Sequence, residues 1–323
     1  MYDIRLYDHN FNLLKILNLT GEHANVSSVN WKVMFNDAGM FELHFNKNDE
    51  DIIRVALENE VLIAVQERGA DSGDALAAVI IGKQLARDGV LYGRTLNHLL
   101  TYRVINKFDG SASLKKAETI AREKVAAACD FITLGSVSGI ADTVKFSRDT
   151  AESAFDVARD VLEMVGAGHK VTADVANKTF VFSVLKPKTN NNFVLSQNNN
   201  NAYDEEYLED GQEYFTGGYY FNSGGVLTYY TPSNTLSGLL RRDRFFSGSD
   251  VERVKEELAK CAVRRESRIK TRGLLWGRDY QLGDTLKNQT AFGAARVVSQ
   301  KVVGVRLWYE AHDIGEEPIL LEV

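Results

Sequence analysis

Cysteine and proline are scarce in this chain of 323 residues, with two of the first and three of the second. Cys129 and Cys261 stand far apart and fall within helical patterns. They read as small buried hydrophobes of a reducing compartment, not as a disulfide framework. Pro187, Pro232 and Pro318 are too few and too scattered for a proline-rich linker. A basic surplus is also missing. Lys and Arg number 38 against 44 Asp and Glu, a formal net charge of −6, which argues against a dedicated nucleic-acid binder. No run approaches the ~20 apolar residues that span a bilayer, so no direct membrane insertion is expected. The start, Met1-Tyr2-Asp3-Ile4-Arg5, shows neither the basic leader nor the apolar segment of a signal peptide. The six histidines (His9, His23, His44, His98, His169, His312) are scattered singly. None shows the i, i+4 pairing of a zinc protease helix.

What is present is a soluble globular composition, 44% hydrophobic and 25% charged, in a chain long enough for two or three domains. The first hundred residues read as strands. Tyr2 to Tyr7 and Asn12 to Leu19 flank a turn at His9-Asn10, and Val29–Phe35 is followed by turn chemistry at Asn36-Asp37-Ala38-Gly39. Met40–Phe45 then places a polar residue at every second position, and Val61–Gln66 and Ala77–Gln84 continue the strands around an exposed loop, Arg68–Asp74. Short strands at this spacing suggest a sandwich or barrel.

The period then changes. Leu114, Ala117, Ile120, Ala121 and Val125 predict an amphipathic helix, with Ser111 and Ser113 as candidate N-caps. Phe155, Ala158, Leu162 and Val165 predict a second over about 151–165, capped by Thr150 and ended by Gly166. Ser249-Asp250-Val251-Glu252 fits a capping box for a third, with a stripe of Val251, Val254, Leu258 and Cys261, ending near Arg268. Lys170–Ala173 and Thr179–Leu185 read as a hairpin. The asparagine-rich stretch 190–201 reads as a mobile loop or edge hairpin, and the last fifty residues are again strand-like. One internal echo links Glu60–Ile63 leading to Val79–Lys83 with Asp284–Leu286 leading to Val297–Lys301. Each is an acidic residue, a strand, a loop and a β-branched strand.

Few stretches offer chemistry. Trp276-Gly277-Arg278-Asp279-Tyr280-Gln281-Leu282-Gly283-Asp284-Thr285-Leu286 brackets a glycine turn with two carboxylates. A barrel corner is the economical reading, because no histidine or further acid stands near enough in sequence to complete a metal or acid–base set. Gly166-Ala167-Gly168-His169 follows a helix where a pyrophosphate loop would precede one. Gly135-Ser136-Val137-Ser138-Gly139 has the wrong spacing for a serine-hydrolase elbow. The acidic run Asp204–Asp210 reads as solvated surface, and Tyr203, Tyr207, Tyr214, Tyr219 and Tyr220 stack on sugar rings or clothe a hairpin. The basic run Arg264-Arg265 to Arg272 reads as complementing the negative end of the third helix. No catalytic residue, cofactor-binding residue or metal ligand is singled out, and no cofactor is expected.

Four stretches taken in order resemble a phage tail baseplate hub protein. The family is the siphophage hubs, the hub part of tail-associated lysins and the hubs of phage-tail-like particles. The stretches are Asn36–Leu43, Gly93-Arg94-Thr95-Leu96-Asn97-His98-Leu99-Leu100-Thr101-Tyr102-Arg103, Phe155–Gly168 with the hairpin after it, and Asp279–Asp284. The resemblance implies an α+β, phage tail hub-like chain of two β-barrel-like domains joined by helical segments. Residues 1–108 would form the first barrel-like domain and 109–168 a helical segment. The second barrel-like domain, with hairpin extensions, would be 169–248 and 270–323, and 249–269 an inserted helix. It further implies a non-enzymatic homotrimer at a virion tail tip or in a phage-tail-like particle, assembled in the bacterial host cytoplasm. Its partners would be the tail tube or distal tail protein, the tape-measure protein and a spike or fibre protein, with DNA only as passing cargo. Lytic activity is not expected, since the chain stops at Val323 without a peptidoglycan-cleaving domain. The alternatives are a carbohydrate-binding tail-tip protein and a cell-wall hydrolase component.

Overall fold

Strands form where the sequence alternates. β1 (Ile4–Tyr7) and β2 (Leu13–Leu17) make an antiparallel hairpin. At its tip the Asp8 carboxylate accepts the backbone N–H groups of Asn10 (2.9 Å) and Asn12 (2.8 Å). β3 (Val26–Met34) pairs antiparallel with β4 (Met40–Phe45) and sets Trp31 against Phe41, ring centroids 4.3 Å apart. β5 (Leu62–Gln66), β6 (Leu76–Leu85) and β7 (Gly89–Thr95) complete this part in the order β3-β4-β7-β6-β5-β1-β2. The computed structural model describes residues 3–19, 24–46, 48–68, 74–85, 89–232, 236–247, 250–290, 297–310 and 313–322.

The sheet continues into the far end of the sequence. Strand Val297–Glu310 pairs antiparallel with β3 on one side, from Gly304↔Met34 to Glu310↔Ser28. On its other side it pairs with Thr285–Gln289. The first and last strands of the chain therefore share one sheet, and among the described residues no pairing closes either part into a barrel. The two halves of the internal echo are both antiparallel pairs, β5 with β6 and Thr285–Gln289 with Val297–Glu310. The chain is mostly β with helices between. The asparagine-rich stretch is not a loop throughout. Thr189–Leu195 is a strand at the sheet margin, parallel to Thr285–Gln289, and Asn190 and Asn201 spend their amides on the carbonyls of Asp279 and Val194.

Helix α1 (Glu50–Glu58) escaped the alternation reading. Asp49 caps it by accepting the Ile52 N–H, and Ile52, Val55 and Ala56 are its buried stripe. α2 (Ala117–Ala128) begins three residues later than its stripe suggested. Leu114 is exposed, and neither Ser111 nor Ser113 caps the helix; Lys116 holds the cap position without a side-chain bond. α3 (Ala154–Glu163) is capped by Ser153, whose hydroxyl accepts the Asp156 N–H, not by Thr150. Gly166 does take a left-handed φ of +67° after its end, and the Ala167 N–H returns to the Leu162 carbonyl at 2.9 Å. α2 and α3 pack through Ala121, Val125, Val157 and Val161 over Phe182 of the hairpin Gly168–Asp174/Thr179–Leu185.

The chain divides into two units, one of Glu206–Ser267 with Glu322 and a larger one that joins the residues up to Glu205 with Arg268–Leu321. In the smaller unit, strands Gly217–Phe221, Leu227–Tyr230 and Asp243–Phe245 form a three-stranded sheet. α4 (Val251–Lys260) buries Val254 and Leu258. Gly218 is required there, because a Cβ would stand 2.7 Å from the Phe246 ring and 3.0 Å from Val254. Asp250 caps α4 by accepting the Glu252 N–H, while Ser249 of the expected capping box lies outside the described residues. α4 stops at Lys260, not near Arg268. The basic run belongs to the strand Arg264–Thr271, so it cannot neutralise a helix end. Its charges instead meet the acidic run of Ala202–Asp210: Arg265 with Glu209 at 3.0 Å and Lys270 with Asp204 at 3.2 Å. Exposed pairs of this kind are screened by solvent and serve mainly to match strand edges.

Candidate functional site

The bend at Gly283 decides what its two carboxylates do. Gly283 has φ +86°, and a Cβ there would lie 2.5 Å from the Phe35 ring and 2.7 Å from Pro187. Only glycine fits. Asp284 is buried and spends both oxygens on backbone, accepting the Lys188 N–H (3.0 Å) and the Gln281 N–H (3.1 Å). Asp279 accepts the Leu275 N–H at 2.7 Å and pairs with Arg278 at 2.7 Å. The Arg278 guanidinium, aided by the Leu275 N–H, holds the Asp279 carboxyl below its usual range against a burial effect that opposes it. Both acids are acceptors that fix a chain reversal. Among the described residues no group of three or more His, Cys, Asp or Glu is placed to hold a metal ion.

Behind the bend lies a buried ion pair. Arg68 donates to Glu316 at 3.2 Å and to the Trp276 carbonyl at 2.9 Å, and stacks over the Trp276 ring at 4.4 Å. Glu316 also accepts the Trp276 N–H and the Tyr280 hydroxyl (3.0 Å). Burial raises the carboxyl pKa of Glu316 and the hydroxyl pKa of Tyr280, so the tyrosine stays a neutral donor. Arg68 was expected in an exposed loop, yet its side chain is only 8% exposed. No sequence signal links it to Glu316, 248 positions away.

The four stretches that were singled out in order meet in space. Asn36, at φ +53°, donates to the Ala167 carbonyl at 3.0 Å and accepts the His169 N–H at 2.9 Å. Asn97 donates to the Asp37 carbonyl at 3.1 Å and accepts the Val171 N–H at 2.8 Å. Thr95 accepts the Gly39 N–H at 2.8 Å. Phe35 fills the space that Gly283 and Gly168 leave open. Buried amides bonded on both faces hold distant segments in one register, because breaking either face strands a polar group away from water. The result is a structural junction, in which no nucleophile is paired to a base among the described residues.

The remaining candidates are also occupied structurally. Ser138 donates its hydroxyl to the Val184 carbonyl and its N–H to Glu118, which also takes the Ile140 N–H. His9 lies beside Asn10, His44 beside Glu42 and His98 against Tyr102. His169 is wholly buried between Phe155 and Phe182. His23 and His312 lie outside the described residues. Tyr219 packs on Tyr229 at 4.8 Å, and Tyr229 bonds Asp243 and carries Arg241 over its ring.

Solved structures share this architecture along its whole length. A tail protein from Neisseria meningitidis MC58 superposes with a TM-score of 0.58 at 13% identity, covering 100% of this chain and 96% of that one. The 43 kDa tail protein of prophage MuSo2 from Shewanella oneidensis gives 0.59 at 9% identity, covering 100% and 97%. This is the fold of phage tail proteins. Prophage tail protein gp18 from Listeria monocytogenes EGD-e carries the same tail-protein fold, with a TM-score of 0.51 at 14% identity and coverage of 99% and 94%. No family model matches the chain, and no curated protein is significantly similar to it in sequence.

Proposed function

We propose that this chain is a structural baseplate hub protein at the distal end of a phage tail or phage-tail-like particle, joining the tail tube to a tip, spike or fibres. The observation that carries this is the likeness to tail proteins over essentially the full length of both chains. The local chemistry supports it. The corner acids, the two buried asparagines and the Arg68–Glu316 pair are all engaged in holding the chain. Such a molecule works by presenting rigid surfaces, not by turnover.

The hub is a homotrimer whose chains each contribute two β-barrel-like domains, residues 1–108 and residues 169–248 with 270–323. The helical segment 109–168 and the helix in 249–269 connect and decorate them. Two apolar cores, one centred on Leu43, Phe45 and Leu91 and the other on Leu286, Val302 and Leu320, accord with this division and meet at Val33, Trp276 and Leu307. Six similar domains in a closed ring let a threefold tip meet a sixfold tube. Its partners are the tail tube or distal tail protein, the tape-measure protein and a spike or fibre. DNA passes without binding, since three copies carry a formal −18, three times −6. The particle assembles in the host cytoplasm. Light scattering of the purified 36.1 kDa chain is the test of the oligomer. A mass three times that of the chain is expected, and a single-chain mass at every concentration would overturn the trimer.

A further inference from the structure

Beside the junction, in the larger unit, lies a cavity of about 450 Å³. That size suits a small ligand or a few side chains of a peptide. Its walls are apolar at Trp31, Leu76, Leu185 and Leu282. Its ionisable lining is Arg68, Lys170, Lys186 and Lys188 against Asp74 and Asp284, a positive excess in a chain of negative net charge. The acids are already engaged. Asp74 pairs with Lys170, and Asp284 accepts two backbone N–H groups. Glu316 holds Arg68. Lys186 and Lys188 are exposed, and among the described residues neither ammonium has an ion-pair or hydrogen-bond partner. Trp276 also lines the cavity, and its Nε1–H is buried without an acceptor.

We propose that this cavity binds an acidic, apolar peptide segment of a partner protein. An aliphatic or aromatic side chain fills the space between Trp31, Leu76 and Leu282. A neighbouring carboxylate faces Lys186 and Lys188. The apolar walls supply burial, and the two free ammonium groups select the sign of charge. This rests on reading the chain as a scaffold that works through contacts with other proteins.

The test is a selection of random heptapeptides on the full chain, followed by titration of the enriched peptides through tryptophan fluorescence. Enriched peptides are expected to pair Asp or Glu with an apolar residue and to bind one per chain. Their affinity should fall with salt. The double variant Lys186→Glu, Lys188→Glu should bind at least about tenfold more weakly. Trp276→Phe, which keeps an aromatic wall but gives up part of the indole's volume, should bind about three- to tenfold more weakly. Circular dichroism of each variant checks that the fold is retained. If either variant fails to fold, the comparison of Asp-containing peptides with their Asn counterparts on the unaltered chain replaces it, with the same tenfold expectation. No enrichment, enrichment without acidic residues, or equal binding by the charge-reversed variant would overturn the site. The scaffold reading itself is tested separately by where antibody against the chain labels the tail, which neither result alters.

Discussion

His169 makes the most quantitative prediction. Its ring lies wholly buried in the helical core, with centroids 5.5 Å from Phe155 and 5.9 Å from Phe182. Neither ring nitrogen has a hydrogen-bond partner among the described residues. Burial, with a smaller contribution from the Arg159 charge, pushes its pKa from 6.5 down to about 3. Above pH 6.5 both folded and unfolded chains hold a neutral ring, so the residue imposes no pH dependence. Below that value the unfolded chain takes up a proton that the folded chain refuses until about pH 3. Stability is therefore lost as the pH falls, by about 1.4 kcal/mol per pH unit and by about 2 kcal/mol between pH 7 and pH 5. The perturbation is His169→Leu, close in volume and without ring nitrogens. The assay is urea unfolding of both proteins from pH 7 to pH 5. Other groups titrate alike in both, so the difference isolates His169. The variant is expected to be at least as stable at pH 7, since it removes unpaired buried nitrogens worth about 1–3 kcal/mol. Its advantage should widen by about 2 kcal/mol at pH 5. A difference that does not change with pH, or that shrinks on acidification, would refute the burial argument.

The junction and the bend make four further predictions. Gly283→Ala forces a side chain into a left-handed position against Phe35 and Pro187, and should cost about 2–4 kcal/mol in thermal or urea unfolding. Asp284→Ala leaves the Lys188 and Gln281 N–H groups unmet, a loss of about 2–4 kcal/mol, whereas Asp284→Asn keeps one acceptor and should lose less. Glu316→Gln removes the carboxylate charge from the buried pair with Arg68, and should destabilise by about 3 kcal/mol, with Arg68→Met, Glu316→Gln together recovering part of it in a double-mutant cycle. Asn97→Leu breaks the bonds to Asp37 and Val171, so hydrogen exchange at Val171 should rise sharply.

How much of this was legible depended on how local the cause was. The strand Met40–Phe45 follows from side-chain period and Leu62–Gln66 from a short apolar run, and both signals need only neighbours in sequence. The hairpin 168–185 and the stop at Gly166 follow from turn chemistry in the same way. α1 was hidden because nine residues between strands give one short stripe, and only Asp49 three places before Ile52 announced it. The basic run misled because Arg264–Thr271 pairs with an acidic strand more than fifty residues earlier in sequence, as Arg265 with Glu209 shows. That pairing is a tertiary fact. The joining of first and last strands through β3 and Val297–Glu310, and of Arg68 with Glu316, is tertiary in the same sense. The bend at Gly283 was readable from its residues, but the use of both Asp284 oxygens needed the position of Lys188.

The hub proposal places this chain at one end of a tail. Immunogold electron microscopy of particles released by the producing cells, with antibody raised against the purified chain, tests that most directly. Gold is expected at the distal end of the tail, and on no other part of it. Label along the whole tube, on a capsid, or only in the particle-free supernatant would contradict a hub.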